Sequence, residues 1–318
     1  MNRKKIANAI SKAVHILVVG HRKPDGDAIG SILALSHFFD SQNKRHKLFC
    51  VDPPGSDFAF LSGFKKISHD PNIFREKRFD LIIVCDSSDL VYAGIDRLIN
   101  EVDYPYTLVN IDHHKTNSFY GDINLVEPEM SSNTQILYRF FECLEAPLTR
   151  DMATCLLTGI VTDTGCFSNQ ATNFKSLEYA SILQSKGARL YKITQYLERN
   201  KSISTLKFWG NVLSRLFYNP RYGIAVALIL EDDFRKYAQD EKAAAGIANF
   251  LNGLEGVKAV MVLKESKGGE IRGSLRTTLD EVDVSKIAGY FGGGGHAKAA
   301  GFTVKGELKR QDGRWRII

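Results

Sequence analysis

Three short clusters of acidic and imidazole side chains stand out in the N-terminal half of the chain. They are His21-Arg-Lys-Pro-Asp25-Gly-Asp27, Asp86 and Asp112-His113-His114. In the first cluster, Pro24 and Gly26 shape a tight loop in which Asp25 and Asp27 sit at alternate positions and can face one cavity. Carboxylates and imidazoles of this kind bind metal ions and transfer protons.

Each cluster directly follows a short apolar run that has the character of a buried strand. The runs are residues 16–20, 81–85 and 107–111. Continuously apolar short runs are typical of parallel strands covered on both faces, and ligands bind beyond the carboxyl ends of such strands. A single Asp at a strand end is more often a helix N-cap. The conjunction of all three clusters is what predicts a shared site.

Several carboxylates brought together repel one another and raise their own pKa values, and a bound cation removes that cost. Mixed oxygen and imidazole ligands without thiolates favour Mn²⁺ or a similar divalent ion, whereas Mg²⁺ prefers fewer imidazoles. A carboxylate at a strand tip, such as Asp86, can bridge two ions about 3.5 to 4 Å apart. We therefore expect two divalent cations, with Mn²⁺ as first choice and Mg²⁺ or Co²⁺ as alternatives.

A second constellation lies near the C-terminus and suits phosphate binding. Four consecutive glycines, 292–295, let the backbone approach an anion, and the residues after them are predicted to begin a helix whose N-terminus faces it. Upstream, residues 271–276 alternate, which places two arginines and a serine on one strand face. A flexible loop and an exposed sheet edge are the alternatives. The predicted substrate-binding residues are Arg272, Ser274, Arg276, Gly293, Gly294, Gly295 and His296.

The remaining pattern predicts an α/β protein of two domains, which also fits a length of 318 residues. Further helices are predicted at 28–40, 134–145, 151–162, 175–186, 202–217, 241–251 and 283–290, and further strands at 224–230, 257–263 and 270–276. We expect an N-terminal parallel-sheet domain over 1–190, a helical linker over 191–217 and a smaller α/β domain over 218–318. The active site is expected in the cleft between the two domains.

Composition restricts the class of protein. With 44% apolar and 25% charged residues, the chain resembles an ordinary globular protein, and its formal charge of +6 favours anionic ligands, although a solvated basic surface explains that charge equally well. No apolar run suits a membrane span or secretory signal. The five cysteines are odd in number and lack C-x-x-C spacing. We therefore expect a cytoplasmic protein without a membrane partner.

In combination, these motifs resemble those of the DHH phosphoesterases. The matching positions are His21-x-x-x-Asp25-x-Asp27, Asp86, Asp112-His113-His114 and Asp163. The glycine-rich segment 292–301 is similar to the hallmark of the C-terminal domain associated with that family. Within the family, a chain of this length without sensor or membrane extensions resembles the stand-alone NrnA-type enzymes, which are nanoRNases and 3′-phosphoadenosine 5′-phosphate phosphatases.

The resemblance implies a role for each matched residue. One ion would be held by His21, Asp25 and Asp86, and the other by Asp27, Asp86, His113 and Asp163. It also implies that His114 faces the substrate phosphate. Asp112 would lie behind the metal ligands, without binding an ion directly. The predicted catalytic residues are therefore Asp86, Asp112 and His114.

The predicted reaction is hydrolysis of short oligoribonucleotides and 3′-phosphoadenosine 5′-phosphate by a hydroxide that two metal ions activate. Short oligoribonucleotides or nucleotide bisphosphates are then the partners, long nucleic acids are not, and a homodimer is compatible with the sequence. Other functions remain open: a cyclic- or linear-dinucleotide phosphodiesterase, a RecJ-like single-strand exonuclease, a pyrophosphatase or exopolyphosphatase, and a non-catalytic nucleotide-binding module.

Overall fold

The computed structural model describes residues 2–76, 78–198, 202–239, 241–244, 246–266 and 268–318. The chain divides into two compact units, Met1–Asn200 and Lys201–Ile318, and each contains a six-stranded sheet. The first sheet is parallel and the second is mixed, so the predicted α/β class with a separate C-terminal α/β domain is confirmed. Residues 199–201 of the predicted linker and residue 245 of a predicted helix lie outside the described residues.

The first unit is built on a parallel sheet. Its strands are β1 (His15–Val19), β2 (Arg45–Phe49), β3 (Ile67–Ser68), β4 (Leu81–Cys85), β5 (Thr107–Asp112) and β6 (Ile123–Val126). Its helices are α1 (Asn2–Lys12), α2 (Gly26–Ser41), α3 (Ile73–Glu76), α4 (Leu90–Ala93), α5 (Asp96–Asn100), α6 (Asn133–Cys143), α7 (Arg150–Asp163), α8 (Phe174–Ser185) and α9 (Leu190–Glu198).

Both faces of this sheet are buried. Along β1, Ile16 and Val18 pack into one apolar cluster, which includes residues of α2, α6 and α7. The alternate residues Leu17 and Val19 pack into a second cluster, with residues of α3, α4 and α5. Because side chains alternate across a strand and both sides are covered, the strand reads as one continuous apolar run.

The strand order places the predicted ligands at one edge of the sheet. The order is β3-β2-β1-β4-β5-β6, and every pairing in it is parallel. The chain moves outward from β1 to β2 and β3, and then returns to the other side of β1 to form β4. This reversal makes a crevice beyond the carboxyl ends of β1 and β4, where open α/β sheets bind ligands.

The second unit contains a mixed sheet and a separate hairpin. Its helices are α10 (Ile203–Leu213), α11 (Glu231–Lys236), α12 (Ile247–Leu251) and α13 (Val284–Tyr290). Its strands are β7 (Phe217–Asn219), β8 (Ile224–Ile229), β9 (Ala259–Ser266), β10 (Glu270–Arg276), β11 (Gly294–His296), β12 (Ala299–Lys305), β13 (Leu308–Gln311) and β14 (Arg314–Ile317). The main sheet has the order β11-β12-β10-β9-β8-β7, in which only β8 and β9 pair in parallel.

Two helix predictions in this unit were wrong in their extent. The helix predicted over 202–217 ends at Leu213, and Phe217 begins β7, where it pairs with Val226 of β8. The apolar pattern continues to residue 217, but the helix stops earlier because Phe217 pairs with a strand. The helix predicted over 241–251 is described as two short pieces, a 3₁₀ turn over Glu241–Ala244 and then α12.

The residues after the glycine run form a hairpin, so the helix predicted there is wrong. β11 pairs with β12 in an antiparallel ladder, with Gly294 opposite Gly301 and His296 opposite Ala299. A Cβ atom at Gly293 would lie 2.1 Å from the carbonyl oxygen of Gly301. At this position glycine is needed for strand-to-strand contact, and a helix N-terminus is absent from this segment.

No helix in the described part of the chain combines the length and apolar character that crossing a bilayer requires.

Candidate active site

Asp86 lies at the centre of the acidic and imidazole cluster. It follows β4, its side chain is buried, and its amide N–H donates to the carbonyl of Ile111 at 2.9 Å. Its φ of +59° is in the left-handed region, which costs energy for a residue with a Cβ. In this position Oδ2 lies 3.4 Å from Nε2 of His21, and Oδ1 lies 3.4 Å from Nε2 of His113.

The two histidines beside Asp86 are oriented in the same way. Nδ1 of His21 lies 2.7 Å from the carbonyl oxygen of Arg22, and Nδ1 of His113 lies 3.3 Å from that of Met130. A carbonyl can only accept, so each Nδ1 carries a proton, and Nε2 of each ring faces the carboxylates. Metal-binding histidines are held in this manner, with the second nitrogen bound to a backbone or carboxylate acceptor.

The carboxylate of Asp27 is fully buried at the N-terminus of α6. Oδ1 accepts from the amide of Thr134 at 2.9 Å, and Oδ2 accepts from the amide of Asn133. Free amides at a helix N-terminus stabilise a negative charge. Asp25, by contrast, caps its own helix, since Oδ1 accepts from the amides of Asp27 and Ala28.

The structure brings all the predicted metal ligands together. Three groups have potential ligand atoms within 4.8 Å of one another: His21, Asp25 and Asp86; Asp27, His113 and Asp163; and Asp86, His113 and His114. Nε2 of His113 lies 3.3 Å from Oδ2 of Asp163 and 3.9 Å from Oδ2 of Asp27. Asp86 touches a histidine of each of the first two groups, as a bridging carboxylate would.

Two acidic residues of the cluster, Asp27 and Asp163, are poorly tolerated as anions, whereas His113 and His21 outweigh burial and lower the pKa of Asp86. Burial, together with the charge of Asp86, raises the pKa of Asp27 to about 7. Burial and the charges of Asp27 and Asp86 also raise the pKa of Asp163 well above its usual range. Close carboxylates in a low-dielectric site favour neutral forms unless a positive charge is present.

The imidazoles respond in the opposite direction. Burial opposes protonation of His21, but Asp25 and Asp86 outweigh it and raise its pKa to about 12. His113 behaves alike: burial lowers its pKa, and Asp86 and Asp27 raise it to about 9. Protonated rings therefore supply the positive charge that the carboxylates need, a role that bound cations can take over.

One atom of the cluster is left without a hydrogen bond. Oδ1 of Asp86 is buried and has no hydrogen-bond partner in the described part of the chain. Its nearest possible donor is Nε2 of His113 at 3.4 Å, which leaves the buried oxygen poorly satisfied, and a metal ion could satisfy it. With oxygen and imidazole donors and no thiolate in any of these groups, the residues fit a pair of divalent cations.

Asp112 holds His114 beside this cluster. Nδ1 of His114 lies 2.7 Å from Oδ1 of Asp112, whose Oδ2 accepts from Nδ2 of Asn117 at 2.6 Å. Asn117 is buried and also donates to the carbonyl of Ser87 at 3.1 Å. Burial lowers the pKa of His114, but Asp112 outweighs that effect and raises it. Because Nδ1 is engaged, Nε2 is the nitrogen through which His114 can meet a substrate.

Sequence reasoning missed residues that support the ligands. These are Tyr92, Asn117, Asn133, Thr134 and Gly159. The helix predicted over 134–145 is present as α6, capped by Ser132, but no local pattern links that helix to Asp27. Asn117 follows the histidine pair without a recognisable spacing. The contacts of Asn133, Thr134 and Gly159 with Asp27 join residues far apart in sequence, so the sequence carried no local signal for them.

In the second unit five of the seven predicted substrate-binding residues share one face of the sheet, namely Arg272, Ser274, Arg276, Gly294 and His296. Arg276 lies opposite Ala299 of β12, which lies opposite His296 of β11. One row further along, Ser274 lies opposite Gly301, which lies opposite Gly294. Residues directly opposite one another project to the same side. Arg272 continues this face and is exposed, and Gly293 and Gly295 flank the glycine of β11 in the second row.

Arg276 is held by a neighbour in that unit. Its Nε donates to Oδ1 of Asn249 at 3.2 Å, and its Nη1 donates to the carbonyl of Leu275 at 2.9 Å. The guanidinium is therefore partly oriented before any ligand is present. Its role in binding substrate stays a prediction.

Comparison with known proteins finds family models that match both units of the chain. The DHH family N-terminal domain matches residues 15–160, and the DHHA1 domain matches residues 222–314. The bifunctional oligoribonuclease and PAP phosphatase NrnA of Thermus thermophilus is 30% identical over 96% of this chain and 89% of its own length. NrnA of Bacillus subtilis is 25% identical over 95% and 93%.

Two further similarities extend the comparison. The cyclic-di-AMP phosphodiesterase PdeA of Listeria monocytogenes is 29% identical over 93% of this chain, but only 46% of its own length is covered. A crystal structure of an exopolyphosphatase-related protein from Bacteroides fragilis superposes with a TM-score of 0.87 at 26% identity, covering 95% of this chain and 90% of that one.

The chain belongs to the DHH family of phosphoesterases, with a DHHA1 domain following the DHH domain. It is therefore a hydrolase that acts on phosphate esters. DHH phosphoesterases depend on metal ions, and the clustered acidic and imidazole groups of the first unit could hold them.

Proposed function

We propose that the chain hydrolyses short oligoribonucleotides and 3′-phosphoadenosine 5′-phosphate, using two divalent cations of which Mn²⁺ is the preferred one. The observation that carries this proposal is the position of Asp86, whose two oxygens each lie 3.4 Å from a histidine of a different ligand group. Similarity to two NrnA proteins over nearly the whole chain supports the choice of substrate.

The ligands divide between the two cations. His21, Asp25 and Asp86 would hold one, and Asp86 would be shared with the group formed by Asp27, His113 and Asp163. When bound, two such cations supply an activated water nucleophile and neutralise charge on the phosphoryl oxygens.

His114 and Asp112 orient the substrate phosphate. Asp112 accepts from Nδ1 of His114, fixes the ring and raises its pKa, and a ring protonated on both nitrogens can also donate from Nε2 to a phosphoryl oxygen. Asn117 donates to the other oxygen of Asp112 and prevents that carboxylate from turning away. A hydrogen bond that is present before the substrate arrives costs no reorganisation during the reaction.

The second unit contributes recognition of the substrate's remaining phosphate or base. Arg276, with Arg272 and Ser274 on the same strand face, offers a charged fork and a hydroxyl. Gly294 and His296 extend this face through β11, with Gly293 and Gly295 beside them. Long nucleic acids are not expected to be good substrates.

A second candidate is hydrolysis of cyclic or linear dinucleotides. It is favoured by the similarity to PdeA, which extends over 93% of this chain and therefore includes both domains. The same residues would act in either reaction, so the alternative concerns only which substrate is preferred.

The test is turnover by the full chain loaded with Mn²⁺ on a panel of substrates. The panel contains 3′-phosphoadenosine 5′-phosphate, di- to pentanucleotides, cyclic di-AMP, linear pApA, pyrophosphate and a long single-stranded RNA. We expect the highest kcat/KM on the bisphosphate and the short RNAs, and no turnover after chelation. Preference for cyclic di-AMP supports the second candidate. Preference for pyrophosphate or long RNA, or binding without turnover, contradicts the proposal.

A further inference from the structure

Tyr92 is fixed by two loops that both carry predicted metal ligands. It lies in α4, where its amide donates to Oδ1 of Asp89 at 2.7 Å. Its carbonyl accepts from the amide of Arg22 at 3.1 Å, and Arg22 follows His21 in the loop after β1. The backbone of Tyr92 is thus held from the β1 side and from the β4 side, so its ring has a defined position at the edge of the cluster.

The ring of Tyr92 contacts two histidines of the site. It stacks on His21, with ring centroids 4.9 Å apart and planes inclined by 26°. It meets His114 edge to face, with centroids 6.1 Å apart and planes inclined by 66°. Despite these contacts, Tyr92 keeps 43% of its surface exposed. An anchored aromatic surface is therefore presented to solvent beside a metal ligand and beside the histidine expected to meet phosphate.

We propose that Tyr92 is a specificity-determining residue on which the nucleobase next to the scissile phosphate stacks. A nucleobase is separated from its phosphate by one ribose, and the Tyr92 and His114 ring centroids lie 6.1 Å apart, so a phosphate at His114 and a base at Tyr92 can belong to one nucleotide. Aromatic side chains bind bases of any sequence through their π-faces. This inference rests on the proposed function and deepens it, because it assigns the part of the substrate that distinguishes a nucleotide from a simple phosphate ester.

The test compares two variants on two dinucleotides. Tyr92→Phe keeps the aromatic ring, and Tyr92→Leu keeps apolar bulk against His21 but removes the π-face. One substrate is pApA, and the other has the same backbone but lacks the bases. Val91→Ala, at a 63% exposed neighbour in the same helix, is the matched control. For each protein, kcat, KM and the Mn²⁺ concentration for half-maximal activity are measured.

We expect Tyr92→Leu to lower kcat/KM for pApA by roughly 5- to 150-fold, mainly by raising KM. This range corresponds to the loss of a stacking energy of about 1–3 kcal/mol. The abasic substrate should be hydrolysed equally by Tyr92→Leu and the parent protein. Tyr92→Phe and Val91→Ala should match the parent on both substrates.

Equal losses on both substrates, or a higher Mn²⁺ requirement in Tyr92→Leu, would show that the ring only supports His21 and would overturn the inference. No loss on either substrate would overturn it too. If the parent protein hydrolyses no nucleotide, the proposed function fails separately. In that case stacking is tested by the affinity of the Mn²⁺-loaded protein for adenosine 5′-monophosphate and for ribose 5-phosphate. Tyr92→Leu should weaken binding of adenosine 5′-monophosphate and leave binding of ribose 5-phosphate unchanged.

Discussion

The carboxylate of Asp27 occupies the space that a side chain at Gly159 would need. A Cβ atom at Gly159 would lie 2.2 Å from Oδ1 of Asp27 and 2.3 Å from Oγ1 of Thr134. Asp27 belongs to α2 and Gly159 to α7, the helix that ends at Asp163. The contact between these two helices therefore sets the position of one predicted metal ligand and brings it towards another.

Gly159→Ala should lower Mn²⁺ affinity and activity, because the new methyl group displaces Asp27. We expect a loss of roughly 10- to 100-fold in both, the usual effect of disturbing the support of a metal ligand. The measurements are Mn²⁺ titration by calorimetry and kcat/KM on 3′-phosphoadenosine 5′-phosphate. The matched control is Gly210→Ala in α10, where a Cβ would meet nothing within 4 Å.

Gly210→Ala should retain activity and raise stability by about 0.5–1 kcal/mol, the gain from replacing glycine inside a helix. Equal Mn²⁺ affinity in Gly159→Ala and the parent protein would mean that Asp27 is not a ligand.

Asp86→Asn should abolish detectable turnover, since it removes the charge shared by the two ligand groups. The amide keeps the size of the side chain, so circular dichroism should be unchanged. Asp52→Asn is a suitable control, because Asp52 also follows a strand but its Oδ2 accepts from the amide of Lys23 at 3.0 Å, a bond that an amide oxygen can keep. Hydrolysis by Asp86→Asn at the parent rate would rule out the bridging role.

Asp112→Asn should slow the reaction while leaving metal binding intact. The substitution weakens the bond that orients His114 and introduces an NH₂ group opposite Nδ2 of Asn117. We expect kcat to fall by roughly 10- to 100-fold, the usual effect of mutating such a supporting residue. The Mn²⁺ concentration for half-maximal activity should change by less than about 2-fold. A parallel loss of Mn²⁺ affinity would place Asp112 among the ligands instead.

Binding of Mn²⁺ should stabilise the fold, because the cations replace protons on crowded side chains. At a free Mn²⁺ concentration of about 100 times Kd, one site contributes about 2.7 kcal/mol to the free energy of unfolding. Thermal unfolding with Mn²⁺ and with chelator measures this gain, and Asp86→Asn should show a smaller one. A melting temperature independent of Mn²⁺ would contradict the assignment.

Arg276→Lys should raise KM for short substrates by roughly 10-fold with little effect on kcat, since lysine keeps the charge but loses the planar fork. Arg221→Lys is the control, because Arg221 lies over the ring of Tyr222 in the turn between β7 and β8. A fall in kcat without a change in KM would contradict a binding role for Arg276.

Sequence predicted the ligand-bearing strand ends well for a physical reason. Strands β1, β4 and β5 are buried on both faces, so each forms an apolar run that stops abruptly at a charged residue. The change from apolar to polar residues marks the end of each strand, and the residues at these three ends match the motifs of the DHH family. Helices α2, α6, α7, α8 and α13 followed in the same way from their periodicity, with bounds shifted by one or two residues, whereas α1, α3, α4, α5 and α11 were not predicted.

Two short hairpins were not predicted because their strands lack an apolar run of their own. β11 consists of two glycines and a histidine, which have no strand signal, although it pairs with the neighbouring β12. β7 pairs with β8 at Phe217 and Val226, although the residues before it continue a helical pattern. Gly159 could not be predicted for another reason, since it contacts Asp27 and Thr134, which the fold brings near it from other helices.

The central claim is that Asp86 lies between two divalent cations. It is tested most directly by anomalous diffraction from crystals of the protein grown with MnCl₂. We predict two manganese peaks per chain about 3.5 to 4 Å apart, one beside His21 and Asp25 and one beside His113 and Asp163, with Asp86 contacting both. A map without manganese at these residues, or with a single ion that leaves Asp86 uncoordinated, would contradict the claim.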